Sequence, residues 1–176
     1  MQAHKHDKQL EVKLLQLFRA RKVTTLVDLG CGLGDYCRFF TDSGIECACY
    51  DGNLDTRNLT GGLCDTRDLS VPLRLGRTFD CVLSLEVGEH IPAAYEAVFF
   101  DNLVRHAAKI IVLSWAVPRQ GGIGHVNEQP NEYVIARLAE HGFLINTAAA
   151  QELRDSATLW WFKNTLMVFE RETAVN

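Results

Sequence analysis

The chain reads as a three-layer α/β domain built on a mostly parallel sheet. Three observations predict it. Apolar, β-branched runs alternate with stretches of helical spacing through most of the 176 residues. A glycine-rich turn, "VDLGCGLGD" (Val27–Asp35), follows the first such run directly and opens a helix. The run "KIIVLSWA" (Lys109–Ala116) is apolar enough for a strand covered on both faces.

The elements follow in order. Asp7–Arg21 places Leu10, Leu14, Leu17 and Phe18 at helical spacing with charges on the other face, which predicts an amphipathic helix. Thr24–Gly30 is the first strand, and Asp35–Gly44 a helix stopped by glycine. Ile45–Asp51 is the second strand. A short helix near Leu54–Leu59 and a brief strand at Leu63–Asp65 come next, then a fourth strand at Thr78–Leu85. Pro92–Ala107 is a long helix with proline in its first turn. After the fifth strand, Lys109–Ala116, a glycine-rich polar loop runs to Pro130, and Asn131–Gly142 is a helix. Phe143–Ala148 and Thr165–Glu170 are the last two strands. No long helix is expected between them, which allows one antiparallel edge strand. Residues 1–22 form an N-terminal helical segment packed on one domain, 23–176.

Composition sets the bounds. Apolar residues make up 47% and charged residues 23%, ordinary globular usage. The net charge of −4 argues against a nucleic-acid partner, whose phosphates would call for Lys and Arg. The polar start, "MQAHKHDKQLEVK", is no secretory signal, and no apolar run approaches the roughly 20 residues of a membrane span. Cys31, Cys37, Cys47, Cys49, Cys64 and Cys81 form no CxxC pair, so they read as small buried hydrophobes with free thiols, suited to the cytoplasm.

The chemistry sits at the ends of the strands. Gly30, Gly32 and Gly34 let backbone turn sharply and approach a ligand closely. Their G-x-G-x-G spacing differs from the G-x-G-x-x-G of dinucleotide binders. Asp51, ending the second strand, can accept hydrogen bonds from both hydroxyls of a ribose. Asp65, past the third, can accept one from an adenine amine.

The succession "VDLGCGLG", "YDG", "CDTRDL" and "FDCVLSLEVGEHIP" resembles the class I, Rossmann-like, S-adenosylmethionine-dependent methyltransferases, from about Thr24 to Glu170. The resemblance implies seven strands in the order 3-2-1-4-5-7-6, the last antiparallel. It implies that Asp28 and the backbone of Gly30, Gly32 and Gly34 surround the methionine part. Asp51 and Gly52 would hold the ribose, Asp65 and Thr66 the adenine edge, and Leu85 and Glu86 the floor near the sulfonium. The expected reaction is methyl transfer to an oxygen or nitrogen of a small-molecule or sugar-like acceptor. A metal-assisted RNA 2′-O-methyltransferase and a non-catalytic nucleotide-binding module are the alternatives.

The stretch "EVGEH" (Glu86, Glu89, His90), with His125 in "GIGHVNE", offers two carboxylates and two imidazoles for a divalent metal. It is similar to the EVxEH segment of Hen-type small-RNA 2′-O-methyltransferases and to the ExxEH segment of O-methyltransferases of ubiquinone biosynthesis. Glu89 and His90 diverge on a regular helix, so a metal site needs backbone that bends them together. Without a metal, His90 and His125 are candidates for the catalytic base. Trp115, His125, Asn127 and Glu128 are candidates for acceptor contacts. "TLWWFKN" (Thr158–Asn164) suits core packing or a contact between copies of the chain better than a substrate platform, so a homo-oligomer is an open expectation.

Overall fold

The computed structural model describes residues 5–172, so the ends of the expected spans 1–22 and 23–176 lie outside them. The elements are α1 (Lys8–Ala20), β1 (Thr25–Leu29), α2 (Asp35–Asp42), β2 (Glu46–Asp51), α3 (Thr56–Leu59), β3 (Asp65–Thr66), β4 (Phe79–Leu85), α4 (Glu96–His106), β5 (Ala107–Ser114), α5 (Asn131–Ala139), β6 (Phe143–Ile145), α6 (Thr147–Ser156), α7 (Phe162–Thr165) and β7 (Met167–Arg171).

The sheet runs β3-β2-β1-β4-β5-β7-β6. Pairing is parallel from β3 to β5, and β7 is antiparallel to both its neighbours. Order and direction agree with the sequence expectation. The central strands are apolar on successive positions because both faces are covered. In β5, Ile111 and Leu113 join one core with Phe99, Phe100 and Leu103 of α4 and Leu138 of α5. Ile110 and Val112 point the other way, into a core with Leu10, Leu14 and Phe18 of α1, Phe40 of α2 and Leu153 of α6.

The first helix is fastened at its start. Asp7 caps it, one carboxylate oxygen accepting from the amides of Gln9 and Leu10, and the other from Thr158 and Leu159. Burial would raise this carboxyl, but the amides outweigh it and hold the pKa below its ordinary value. Nearby, Phe162 is buried and Trp160 is 57% exposed.

Two expectations need correction. The strand predicted over Phe143–Ala148 stops at Ile145, because Asn146 accepts a hydrogen bond from the amide of Ala149 and caps α6. A ten-residue helix rich in good helix formers therefore separates β6 and β7. The expectation of free thiols also fails for one pair. The register Tyr50↔Asp65 sets Cys49 of β2 beside Cys64, the residue just before β3, and they are joined as a disulfide. No helix among the described residues is long and apolar enough to cross a membrane.

Candidate active site

The sequence-predicted residues gather at the carboxyl ends of β1 to β5, where open α/β sheets bind ligands. Gly30, Gly32 and Gly34 all have left-handed backbone, with φ of 95°, 55° and 74°. Gly30 is required twice over: a Cβ there would also lie 2.2 Å from a methyl of Val87. The amides of Gly30 and Cys31 donate to the Tyr50 carbonyl, and the amide of Gly32 donates to Asp51 at 2.8 Å. Asp51 also accepts from the amide of Asn53. The turn after β1 is thus moored to the end of β2.

Asp28, beneath this turn, is 3% exposed. Burial pushes its carboxyl well above the ordinary range, with Cys37 and Asp51 adding to the effect. Gly52 follows Asp51 on the surface. Asp65 is half-buried and faces the Arg57 guanidinium at 3.5 Å, while the Thr66 hydroxyl donates to the Asn53 carbonyl. Leu85 ends β4. Glu86, next in the chain, is a non-glycine residue with φ of 55°, a strained conformation of a kind that clusters at functional sites. Its amide is held by the hydroxyl and carbonyl of Ser114 on β5.

Beyond Glu86 the chain makes one 3-10 turn, Gly88–His90. This turn supplies the bend the sequence required. One ligand atom each from Glu89, His90 and His125 lie within 4.8 Å of one another. Glu86 stands just outside the trio, its carboxylate accepting from the Gln120 amide nitrogen and the Thr165 hydroxyl. Three of the four candidate ligands are therefore brought together, with the fourth adjacent.

Glu89 is the anomaly. It is 0% exposed, and neither carboxylate oxygen has a hydrogen-bond partner. Burial, then the charge of Glu86, pushes its pKa up to about 8. The imidazoles are better provided for. His125 Nδ1 faces Glu128 at 3.0 Å, and His90 Nδ1 faces the Gly124 carbonyl at 3.1 Å. A nitrogen facing an oxygen acceptor carries the proton, so each neutral ring keeps its lone pair at Nε2. His125 Nε2 lies 4.0 Å from Glu89.

Other residues hold this arrangement in place. Glu128 accepts from the amides of Arg119 and Gly121, which folds the loop around His125. The amides of Val126 and Asn127 donate to the Glu89 carbonyl. Trp115 and Asn127 are not acceptor contacts. Trp115 is fully buried, packs on Phe99 and Phe100, and donates its indole N–H to the Asn127 carbonyl. Asn127 is buried and donates to Glu96, which also accepts from Gln129 and Tyr133. Glu128 acts on His125 instead. Sequence reasoning missed the Glu96 network, Gly88 and Gly122. A Cβ on Gly88 would strike the Trp115 indole at 2.2 Å, and one on Gly122 would strike His125 Nε2 at 2.2 Å. Glycines this close to a histidine and a glutamate were the available signal.

Comparison with known proteins agrees with this fold. A family model described as "Methyltransferase domain" matches residues 2–165. No curated protein matches. Among solved structures, the sugar N-methyltransferase KedS8 from Streptoalloteichus sp superposes with a TM-score of 0.73 at 17% identity, covering 94% of this chain and 88% of its own. Magnesium protoporphyrin IX methyltransferase from Synechocystis, with bound SAH, gives 0.70 at 17% identity, covering 93% and 83%. The methyltransferase domain of a bacterial Hen1 gives 0.66 at 12% identity, covering 93% and 98%. With the family model spanning nearly the whole described chain and the sheet order matching, the chain belongs to the methyltransferase-domain family.

Proposed function

We propose that this methyltransferase moves a methyl group from S-adenosylmethionine to a hydroxyl of a small-molecule or sugar-like acceptor, next to a divalent metal held by Glu89, His90 and His125 with Glu86 beside them. One observation carries the reading. A fully buried carboxylate with two unpartnered oxygens is costly, by about 1–3 kcal/mol or more, and it faces two imidazoles. The donor set of carboxylate oxygen and imidazole nitrogen fits a hard or borderline divalent ion. When bound, such an ion polarises an acceptor hydroxyl and lowers its pKa.

The chain's own residues do the rest. Asp51 accepts from ribose hydroxyls while its Gly32 contact keeps the glycine turn in place. Asp28 offers a carboxylate beneath the turn for the methionine ammonium. Asp65 accepts from the adenine amine, and Thr66 and Gly52 flank it. Leu85 and Glu86 set the floor between the cofactor and the trio. Glu128 and the Gly124 carbonyl orient the imidazoles. Transfer is an in-line displacement: the acceptor hydroxyl gives up its proton to solvent, its oxygen forms the new C–O bond, the S–C bond breaks, and the sulfonium becomes a neutral thioether. Alignment of these groups is the protein's main contribution.

Neighbours whose names specify sugar substrates support the sugar-like acceptor. The likeness to a Hen1 domain supports RNA as a second reading, against which the −4 charge stands. The test is a labelled-methyl assay over metabolite, glycan and RNA pools, with Mg²⁺, Mn²⁺ or Zn²⁺ and with excess EDTA. Calorimetry runs beside it, with S-adenosylhomocysteine and with NAD. Binding of the sulfur ligand and chelator-sensitive transfer are expected. Tight NAD binding would remove the cofactor assignment. Full activity in EDTA would leave His90 and His125 as direct base and hydrogen-bond partner instead of ligands.

A further inference from the structure

Five of the chain's six cysteines meet in one corner. Cys37, Cys49 and Cys64 form a small buried cluster, with Cys31 and Cys47 packed on it. Within it, the sulfurs of Cys31, Cys49 and Cys64 lie within 4.8 Å of one another. Their positions matter. Cys31 stands between Gly30 and Gly32, Cys49 lies two residues before Asp51, and Cys64 immediately precedes Asp65. Cys64 also touches the start of α2, since a Cβ on Gly34 would come within 2.8 Å of its sulfur. Three segments with ligand-facing carboxylates or glycines are thus joined beneath by three sulfurs. Free buried cysteines need no such convergence to serve as small hydrophobes.

The surroundings favour a cation. Cys31 is the least buried of the three residues. Burial raises its thiol pKa, and the charges of Asp28 and Asp51 raise it further. Groups that oppose a negative thiolate welcome a positive ion, and a coordinated thiol loses its proton outright. Soft sulfur donors select d¹⁰ ions such as Zn²⁺, unlike the oxygen and nitrogen donors of Glu89, His90 and His125.

We propose that, once the Cys49–Cys64 disulfide is reduced, Cys31, Cys49 and Cys64 form a three-thiolate site for one thiophilic divalent ion of the Zn²⁺ class. Reduction by a dithiol breaks the S–S bond. The dithiol supplies two electrons and two protons and leaves as its own disulfide. Binding then releases three protons and forms three metal–sulfur bonds, with no further redox change. Disulfide and metal site are mutually exclusive uses of the same sulfurs. The ion would tie the glycine turn to β2 and β3 beneath the cofactor bed, a placement that, unlike the site itself, rests on the cofactor reading above.

The test uses Cd²⁺ as the probe on the full-length protein, reduced with a dithiol that is then removed anaerobically. A thiolate-to-cadmium charge-transfer absorption saturating at one ion per chain is expected. It cannot arise from the carboxylate–histidine trio. The disulfide-oxidised protein should show none. Cys31→Ser should weaken Cd²⁺ by at least about 10–100-fold, while Cys47→Ser should leave it unchanged; thermal melts confirm that both fold. No absorption in the reduced protein, full affinity in Cys31→Ser, or loss in Cys47→Ser would each overturn the proposal. S-adenosylhomocysteine is titrated in parallel. Its binding to the metal-free protein, with no cadmium signal when Cd²⁺ is then added, refutes the thiolate site alone, and a failure to bind the metal-free protein beside a normal cadmium signal refutes the cofactor reading alone.

Discussion

Two carboxylates at opposite ends of the same sheet have opposite fates. At the amino ends of the strands, Asp80 accepts from the amides of Thr24 and Thr25 and the Thr24 hydroxyl, and pairs with Lys109 at 2.8 Å. Burial works against its charge, but Lys109 and the Thr24 contacts prevail and bring the pKa down to about 2. At the carboxyl ends, Glu89 is sealed from water with no hydrogen bond to either oxygen, His125 Nε2 standing off at 4.0 Å, and its pKa goes up to about 8. Native proteins satisfy nearly all buried polar groups, so an exception calls for an explanation. Asp80 has a partner for each of its oxygens. Glu89, at the end of the sheet that carries the candidate site, has no hydrogen bond to either.

The sharpest way to break this contrast is at Glu89. Glu89→Gln should lower turnover by at least about 100-fold, beyond the roughly 10–100-fold that outer partners of a metal cost. Affinity for S-adenosylhomocysteine, read by calorimetry, should stay unchanged. Glu89→Met should be equally inactive yet melt higher than the metal-free parent, because it removes an unpartnered buried carboxyl. A lower melting temperature would mean that Glu89 has a structural partner. Next comes Glu128→Ala, expected to reduce metal affinity about 10–100-fold by releasing His125. A competitive metal titration measures it. Unchanged affinity would make Glu128 a loop anchor only.

Asp51→Ala should weaken S-adenosylhomocysteine by about 1–3 kcal/mol in calorimetry, since the ribose loses a charged acceptor. No change would misplace the ribose. The smallest effect on activity belongs to Asp80→Asn, which should cost on the order of 2 kcal/mol in denaturant unfolding and leave kcat unaltered.

The two carboxylates also predict opposite pH slopes for the metal-free protein. Asp80 has a folded pKa depressed from 3.8 to about 2. Its stabilisation is present above 3.8 and is lost as pH falls through about 2. Glu89 has a folded pKa raised from 4.5 to about 8. Its favourable contribution is complete below 4.5 and is lost as pH rises through about 8. Unfolding curves between pH 5 and 8 should therefore decline in the parent and decline less steeply in Glu89→Gln, where buried Asp28 still contributes, while Asp80→Asn keeps the full decline. Identical slopes in the parent and Glu89→Gln would show that Glu89 titrates normally.

Much of this molecule is legible along the chain, for local reasons. A continuous apolar run marks a doubly covered strand and a period of 3.6 marks a helix wherever burial enforces it, as in Lys109–Ala116 and Asp7–Arg21. Positive φ selects Gly30, Gly32 and Gly34, so the turn after β1 announces itself. The sheet order came through resemblance, and the matching family model and neighbours bear it out. Asn146 shows where local reading fails: an apolar run continues as a strand on paper, but a side-chain cap ends it.

By itself, the sequence determined the layered α/β class, the glycine turn and the set of residues able to bind a ligand. These depend on backbone sterics and on spacing within one segment. Only the tertiary structure decided which of them meet. It placed Trp115 in the core, turned Glu128 onto His125, and brought sulfurs from three segments together. It also left the Glu89 carboxyl without a hydrogen bond. Burial and hydrogen-bond satisfaction are sums over neighbours distant in the chain, and no local pattern contains them.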